Sequence, residues 1–323
     1  MPYPEPLHSR FRLAPSGDVH LGHIALAWLS MNAARLTGGT FTMRAQQLWA
    51  TREITSLENY REYAHRNLNE LIDLGIEPSQ SGAFKLHGMS PSWRFQVTDD
   101  RALIDYYWHE LGLDALWGEW PVNPRMSHAL DTDQPWVDEA SWNFTIRYKH
   151  PYLQFAQLVG EVTTERNCII RGEDHKSDES FASAIYPLLA KKHYGLADYD
   201  RTGMYTPCQW FMPHITLDAG WKLSSSNGAN QAGYYAKDIL AARIPSEKLF
   251  AYIGKLLFGS VEEAERLSTN FTQQIPLDPE NNHLRAMPQA GVRSVMEGLW
   301  AGDRKVVDPE DWARFLRTGN VMA

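Results

Sequence analysis

The apolar pattern switches period twice within the first fifty residues. Phe11-Arg12-Leu13-Ala14 reads as a short strand running into the turn residues Pro15-Ser16-Gly17-Asp18. The apolar run from Ile24 to Leu36 then reads as a helix closed by Gly38-Gly39, and Thr40-Phe41-Thr42-Met43-Arg44 alternates as a second strand. Strand, helix and strand in this order predict a βαβ unit with a parallel sheet. A helix over 57–74 follows, with Leu68, Leu71, Ile72 and Leu74 on one face and a stop at Gly75 before Pro78.

From Pro78 to Trp142 prolines, glycines and tryptophans interrupt the pattern, and only 102–111 reads as a helix. Near Tyr152 the α/β rhythm returns. It predicts a strand over Cys168-Ile169-Ile170-Arg171, a helix over 181–194, and a hairpin over 215–223 entering a Ser- and Gly-rich loop. Beyond Gly233 the chain reads as mostly helical, with Ser246 capping one helix and Ser260 and Glu263 forming a capping box for the next. The fold expected is α/β: a Rossmann-type parallel sheet with an inserted α+β subdomain and a short helical C-terminal region. Residues 1–77 and 148–235 would form the two halves of the catalytic domain. Residues 78–147 would be the inserted subdomain, and 236–323 the helical region.

Composition narrows the class. A chain of 323 residues has room for one large domain with an insertion, or for two. Its 31 basic and 39 acidic side chains give a formal net charge of −8, which argues against indiscriminate coating of nucleic acid. Two cysteines, Cys168 and Cys208, exclude a disulfide framework and a four-cysteine zinc site. No secretory apolar segment and no long apolar run is evident, so the expectation is a cytoplasmic protein with no membrane association.

The candidate chemistry begins at His20-Leu21-Gly22-His23, where the first loop turns into the first helix. A helix N-terminus offers unpaired N–H groups and partial positive charge to a phosphate, and two imidazoles three residues apart can both face it. Gly22 keeps a side chain out of the way of a nucleotide. The alternative is a surface histidine pair beside a helix cap.

Residues 10–23 resemble, without a gap, the opening RFAPSPTGxLHIGH of glutamyl-tRNA synthetases. Gly38 to Arg44 is similar to that family's GGKFxLR strand. Ile169-Ile170-Arg171-Gly172-Glu173-Asp174-His175 is similar to VIRGEDH, and Lys222 to Ala229 to KLSKRDGA, a form of the class I KMSKS loop. The resemblance covers roughly residues 8–75 and 150–235. It implies a class I ligase core that activates a carboxylic acid with ATP and Mg²⁺ and passes the acyl group to an acceptor, in the family the terminal ribose of a tRNA. Position by position, it implies His20, His23 and Lys222 as catalytic residues. Gly17, Gly22, Glu173, Asp174, Leu223, Ser224 and Ser225 would meet the nucleotide, and Arg10, Ala14, Gln46, Tyr152 and Arg171 the amino acid. Glu173 and Asp174 could equally cap the following helix, and Arg12 competes with Arg10 under a two-residue shift. No metal ligands are expected from the protein itself.

Three departures qualify the implied substrate. Gln46 stands where the family has a glutamate that pairs with the substrate ammonium, so glutamate itself or the way its amine is held is in question. Ser225 replaces a lysine that stabilises the pyrophosphate charge. The expected tyrosine falls at Leu153, with Tyr152 one residue away, and an acidic pair is reduced to Gly160-Glu161. The insertion carries Trp93, Tyr106, Tyr107, Trp108, Trp117, Trp120, Trp136 and Trp142, either a small aromatic core or a platform for unpaired nucleotides. Roughly 90 residues follow the loop, so no anticodon-binding domain of the usual size is expected. Three readings stand at this stage. One is an ATP-dependent ligase charging a tRNA, one a tRNA-independent ligase acylating a small-molecule or protein amine, and one a catalytically silent paralogue. The oligomeric state is not legible.

Overall fold

The computed structural model describes residues 7–13, 17–36, 38–45, 57–79, 101–113, 152–163, 166–173, 179–195, 208–217, 222–223, 233–259 and 305–321. In chain order these form β1 (Ser9–Leu13), α1 (Leu21–Leu36), β2 (Phe41–Ala45), α2 (Leu57–Asp73), α3 (Arg101–Glu110), α4 (Tyr152–Thr163) and β3 (Cys168–Gly172). They continue with α5 (Glu179–Tyr194), β4 (Cys208–Met212), β5 (Ile215–Leu217), α6 (Ala236–Ala241), α7 (Ser246–Phe258), β6 (Lys305–Val307) and α8 (Pro309–Thr318).

Four strands form a parallel sheet in the order β2-β1-β3-β4. From β1 the chain passes through α1 to β2 on one side, and later returns as β3 on the other side. This reversal of strand order at β1 is a topological switch point, beside which α/β folds open their crevices. Alternation along β1 sends Phe11 and Leu13 into the apolar core, and the Ser9 hydroxyl donates to the Ser30 carbonyl of α1 at 2.5 Å. Arg10 and Arg12 therefore lie on the opposite face. By the same alternation Cys168 and Ile170 join the α1 side, while Arg171 joins Arg10.

The Gly38-Gly39 pair closes α1 as expected, with the Gly38 and Gly39 N–H groups donating to the Arg35 and Ala34 carbonyls. Gly39 has a second reason to lack a side chain: a Cβ there would lie 2.0 Å from the Leu7 carbonyl oxygen. At the N-terminal edge of the sheet, the His8 N–H donates to Asn167 Oδ1 at 2.7 Å and Arg166 Nη1 to Thr40 Oγ1 at 3.0 Å.

Two apolar clusters organise the interior. The larger packs α1 and the sheet with α2, α7, Val307 of β6, and Trp312 and Phe315 of α8. The smaller joins α3, α4 and α5 around Trp108, Phe155 and Leu189, with the Trp108 and Phe155 rings edge to face at 5.1 Å. Of the aromatic side chains in the insertion, Tyr107 and Trp108 thus serve a small core, and Tyr106 is half exposed. Trp93, Trp117, Trp120, Trp136 and Trp142 lie outside the described residues.

The structure departs from the sequence reading in several places. β1 starts at Ser9, and α1 starts at Leu21 inside the histidine motif. β4 is a strand that the apolar run Cys-Gln-Trp-Phe-Met, lacking any alternation, did not announce. Within the mostly helical C-terminal region, a three-residue strand, β6, pairs in parallel with β5, a pairing the sequence did not announce. Pro245 occupies the N-cap of α7 and Ser246 is its first helical residue; a fixed φ suits Pro there, and no side-chain cap bond forms. The Ser260–Glu263 capping box lies outside the described residues. The hairpin expected over 215–223 is matched by an antiparallel bridge of Thr216 with Lys222 and by the Leu223 N–H donating to the Ile215 carbonyl at 3.2 Å.

Candidate active site

His20 sits between β1 and α1, and its carbonyl accepts the first helical bonds, from the N–H groups of His23 (2.8 Å) and Ile24 (3.2 Å). A strap over 233–236 holds the motif from the other side. Leu21 N–H donates to the Tyr234 carbonyl at 2.9 Å, Ala236 N–H donates to the Val19 carbonyl at 2.8 Å, and His20 bridges Tyr235. The Gly22 N–H donates to Nδ1 of His20 at 3.1 Å. The first three amides of α1 are thus taken up within the protein, and the expectation that they greet a phosphate directly is corrected. What the motif presents is imidazole.

The state of that imidazole follows from the geometry. An Nδ1 that accepts a backbone N–H cannot carry the ring proton, so neutral His20 is protonated on Nε2. Burial holds its pKa well below 6.5, helped by the neighbouring His23 and then by the charge of Lys222. The His23 ring stacks on it with centroids 3.8 Å apart and planes at 25°. Gly22 has a role the sequence did not show: a Cβ there would meet Cε1 of His20 at 2.9 Å, so glycine lets the ring fold back onto its own turn. This predicts a pH dependence. Because the unfolded chain takes the proton first, stability should fall as pH drops below about 6.5 and level off once the folded-state pKa is passed. Thermal unfolding of His20→Asn should show a flatter profile over that window, and an unchanged slope would show that the ring is not buried neutral.

A second cluster lies on the other face of the sheet. Glu161 of α4 is 1% exposed and pairs with Arg10 of β1, at 6%, and with Arg171 of β3, at 8%. Arg171 Nη2 donates to Glu161 Oε1 at 3.3 Å, and Arg10 Nη2 bonds the same oxygen. The structure therefore brings Arg10 and Arg171 together beside the switch point, and buries both rather than leaving them as solvated surface charges. Sequence reasoning missed the residue that joins them. The signal was present in the acidic remnant Gly160-Glu161, one residue of which reaches back to both strands.

Other expected site residues are placed as follows. The Gly17 carbonyl accepts from Nδ2 of the buried Asn67 at 2.7 Å. Glu173 accepts from the backbone N–H of His214 and pairs with its Nδ1, both at 2.9 Å, so it ties the end of β3 to the β4–β5 link. Leu223 is buried and Lys222 exposed, with Lys222 close enough for its charge to act on His20. Tyr152 opens α4, but its side chain, like Ala14, Gln46, Asp174, Ser224 and Ser225, lies outside the described residues. Among the described residues no three His, Cys, Asp or Glu side chains gather as a metal site, and no helix is long and apolar enough to cross a membrane.

A parallel sheet with a switch point, a histidine pair at the start of its first helix and paired arginines on the facing side define an α/β protein with a Rossmann-like core. In sequence the chain is similar to a glutamate–tRNA ligase. It is 22% identical over 275 residues to the glutamate–tRNA ligase of Paracidovorax citrulli (strain AAC00-1), a match covering 72% of this chain and 53% of that one. The chain thus spans about half the length of the curated relative it matches. No protein-family model matches. Among solved structures it is similar to the glutamate–tRNA synthetase of Elizabethkingia anophelis, with a TM-score of 0.47, 16% identity, and coverage of 80% of this chain and 65% of that one. It is also similar to the tyrosyl-tRNA synthetase of Aeropyrum pernix, with a TM-score of 0.38, 14% identity, and coverage of 98% and 86%.

Proposed function

We propose that this protein is an AMP-forming ligase that activates an amino acid with ATP. A carboxylate oxygen of the amino acid forms a bond to the α-phosphorus, the bond to the β-phosphate oxygen breaks, and aminoacyl-adenylate and pyrophosphate result. The observation that carries this reading is the buried His20, stacked on His23, whose Nδ1 accepts the Gly22 N–H and whose burial holds its pKa down, so that the ring proton falls to Nε2. A neutral ring N–H fixed in advance can stabilise charge that grows on a phosphoryl oxygen, without first being desolvated or reoriented. Lys222 adds a cation from the hairpin. Mg²⁺ would arrive on the phosphates of ATP.

The arginine cluster fits the acid. Arginine suits that task because its planar fork can bind a carboxylate bidentately, and Arg10 and Arg171 stand together on neighbouring strands beside Glu161. The acyl group would then pass to an acceptor, with the terminal ribose of a tRNA as the leading candidate because of the similarity to a glutamate–tRNA ligase.

Pyrophosphate exchange measured over a panel of amino acids, with and without total tRNA, tests this. Exchange or AMP release that requires tRNA supports tRNA charging. Turnover with an amine acceptor and no tRNA moves the acceptor to a small molecule or protein. ATP binding without exchange for any amino acid overturns the ligase reading in favour of a silent paralogue.

A further inference from the structure

The hairpin that carries Lys222 and the strap over 233–236 are both held by one short stretch of chain far away in sequence. At the hairpin's entry, β5 pairs in parallel with β6, with Thr216 opposite Val306, and the same Thr216 bridges Lys222 on its other side. At the strap, Trp312 Nε1 of α8 donates to the Gly233 carbonyl at 2.9 Å, and the Tyr234 ring stacks on Trp312 with planes at 11°. Asp308 links these two grips: it follows β6 directly and caps α8, accepting from the Glu310 and Asp311 N–H groups. Gly233 opens the strap whose next residues bond Val19, His20 and Leu21.

We propose that residues 305–318 act as a clasp that sets Lys222 against His20, with Trp312 as its positioning residue. This rests on the ligase reading for its catalytic meaning, though not for its geometry. Trp312 itself touches neither histidine; it acts through the Gly233 carbonyl and the strap. Its indole is 2% exposed and lies among Tyr234, Tyr252 and Phe315, so it has little freedom to move without moving the strap.

Trp312→Phe in the full chain keeps an aromatic ring and deletes the N–H. The amides of Leu21 and Ala236, both bonded in the strap, should then exchange with deuterium about five- to tenfold faster, the size of one intramolecular hydrogen bond, while the Phe11 amide in β1 keeps its native rate. The kcat for pyrophosphate exchange should fall by a similar factor at unchanged KM for the amino acid. Trp312→His, which keeps a ring N–H, should hold both strap amides near native protection. Faster exchange at every amide alike, no change at Leu21 and Ala236, or equal exchange in the His and Phe variants would overturn the clasp. Should the native protein show no pyrophosphate exchange, the ligase reading fails, and the amide pattern still decides the clasp.

Discussion

Glu161→Ala should lower the unfolding free energy by about 3–5 kcal/mol, the loss expected when one member of a buried ion cluster is removed and the others remain. Glu161 is the carboxylate that Arg10 and Arg171 share, and all three side chains are more than nine-tenths buried. Without it, two guanidinium groups on neighbouring strands would face each other in a low-dielectric site. The cost arises from losing the carboxylate that two buried guanidinium groups share, and the net value of the intact cluster is much smaller. A contrasting variant makes this visible. The triple change Arg10→Met, Glu161→Leu, Arg171→Met removes all the charges together and should stay within about 1–2 kcal/mol of the native protein, or exceed it. It should nonetheless lose amino-acid binding. Urea unfolding monitored by tryptophan fluorescence gives both numbers. A loss below about 1 kcal/mol for Glu161→Ala would mean that the cluster is solvated.

His20→Ala should slow pyrophosphate exchange by about 10²–10³, the usual effect of removing one fixed donor to developing charge. The amino-acid KM should hold, because the arginine cluster lies on the other face of the sheet from α1 and Phe11. The fold should be retained with a stability loss of about 1 kcal/mol, since the ring's one bond, from the Gly22 N–H, is lost while the backbone bonds of His20 with Ile24, His23 and Tyr235 remain. Steady-state exchange rates across ATP and amino-acid concentrations separate these effects. A fall of less than tenfold would remove His20 from the transition state and leave it as packing for His23.

Much of this architecture is legible in the sequence because it is local. Phe11 to Leu13, the helix closed by Gly38-Gly39 and the run Cys168 to Arg171 each carry their own pattern and their own stop. β4 escapes because a run without alternation does not distinguish strand from helix. β6 escapes because it is three residues long and only Val307 enters the core, too short a run to show a period. The same division holds at the site. His20, His23, Lys222, Arg10 and Arg171 stand out because ordered motifs carry them. That Glu161 bonds both arginines, that Glu173 holds His214, and that the first amides of α1 are already bonded are all facts of tertiary contact. No spacing along the chain encodes them.

The position of β1 at the centre of the sheet also constrains the order of assembly. Its partner β3 arrives only with Cys168, and the bond from His8 to Asn167 spans 159 positions. The cluster that receives Phe11 is not complete until Trp312 and Phe315 have been made. A chain emerging from the ribosome therefore holds a βαβ unit whose β1 edge stays unpaired until Cys168 is made and whose apolar face stays uncovered until Trp312 and Phe315 follow. Parallel pairing at such separations is slow because loop closure must precede the contacts that reward it. The free edge of the first strand is thus open to misassociation until its second neighbour has been made.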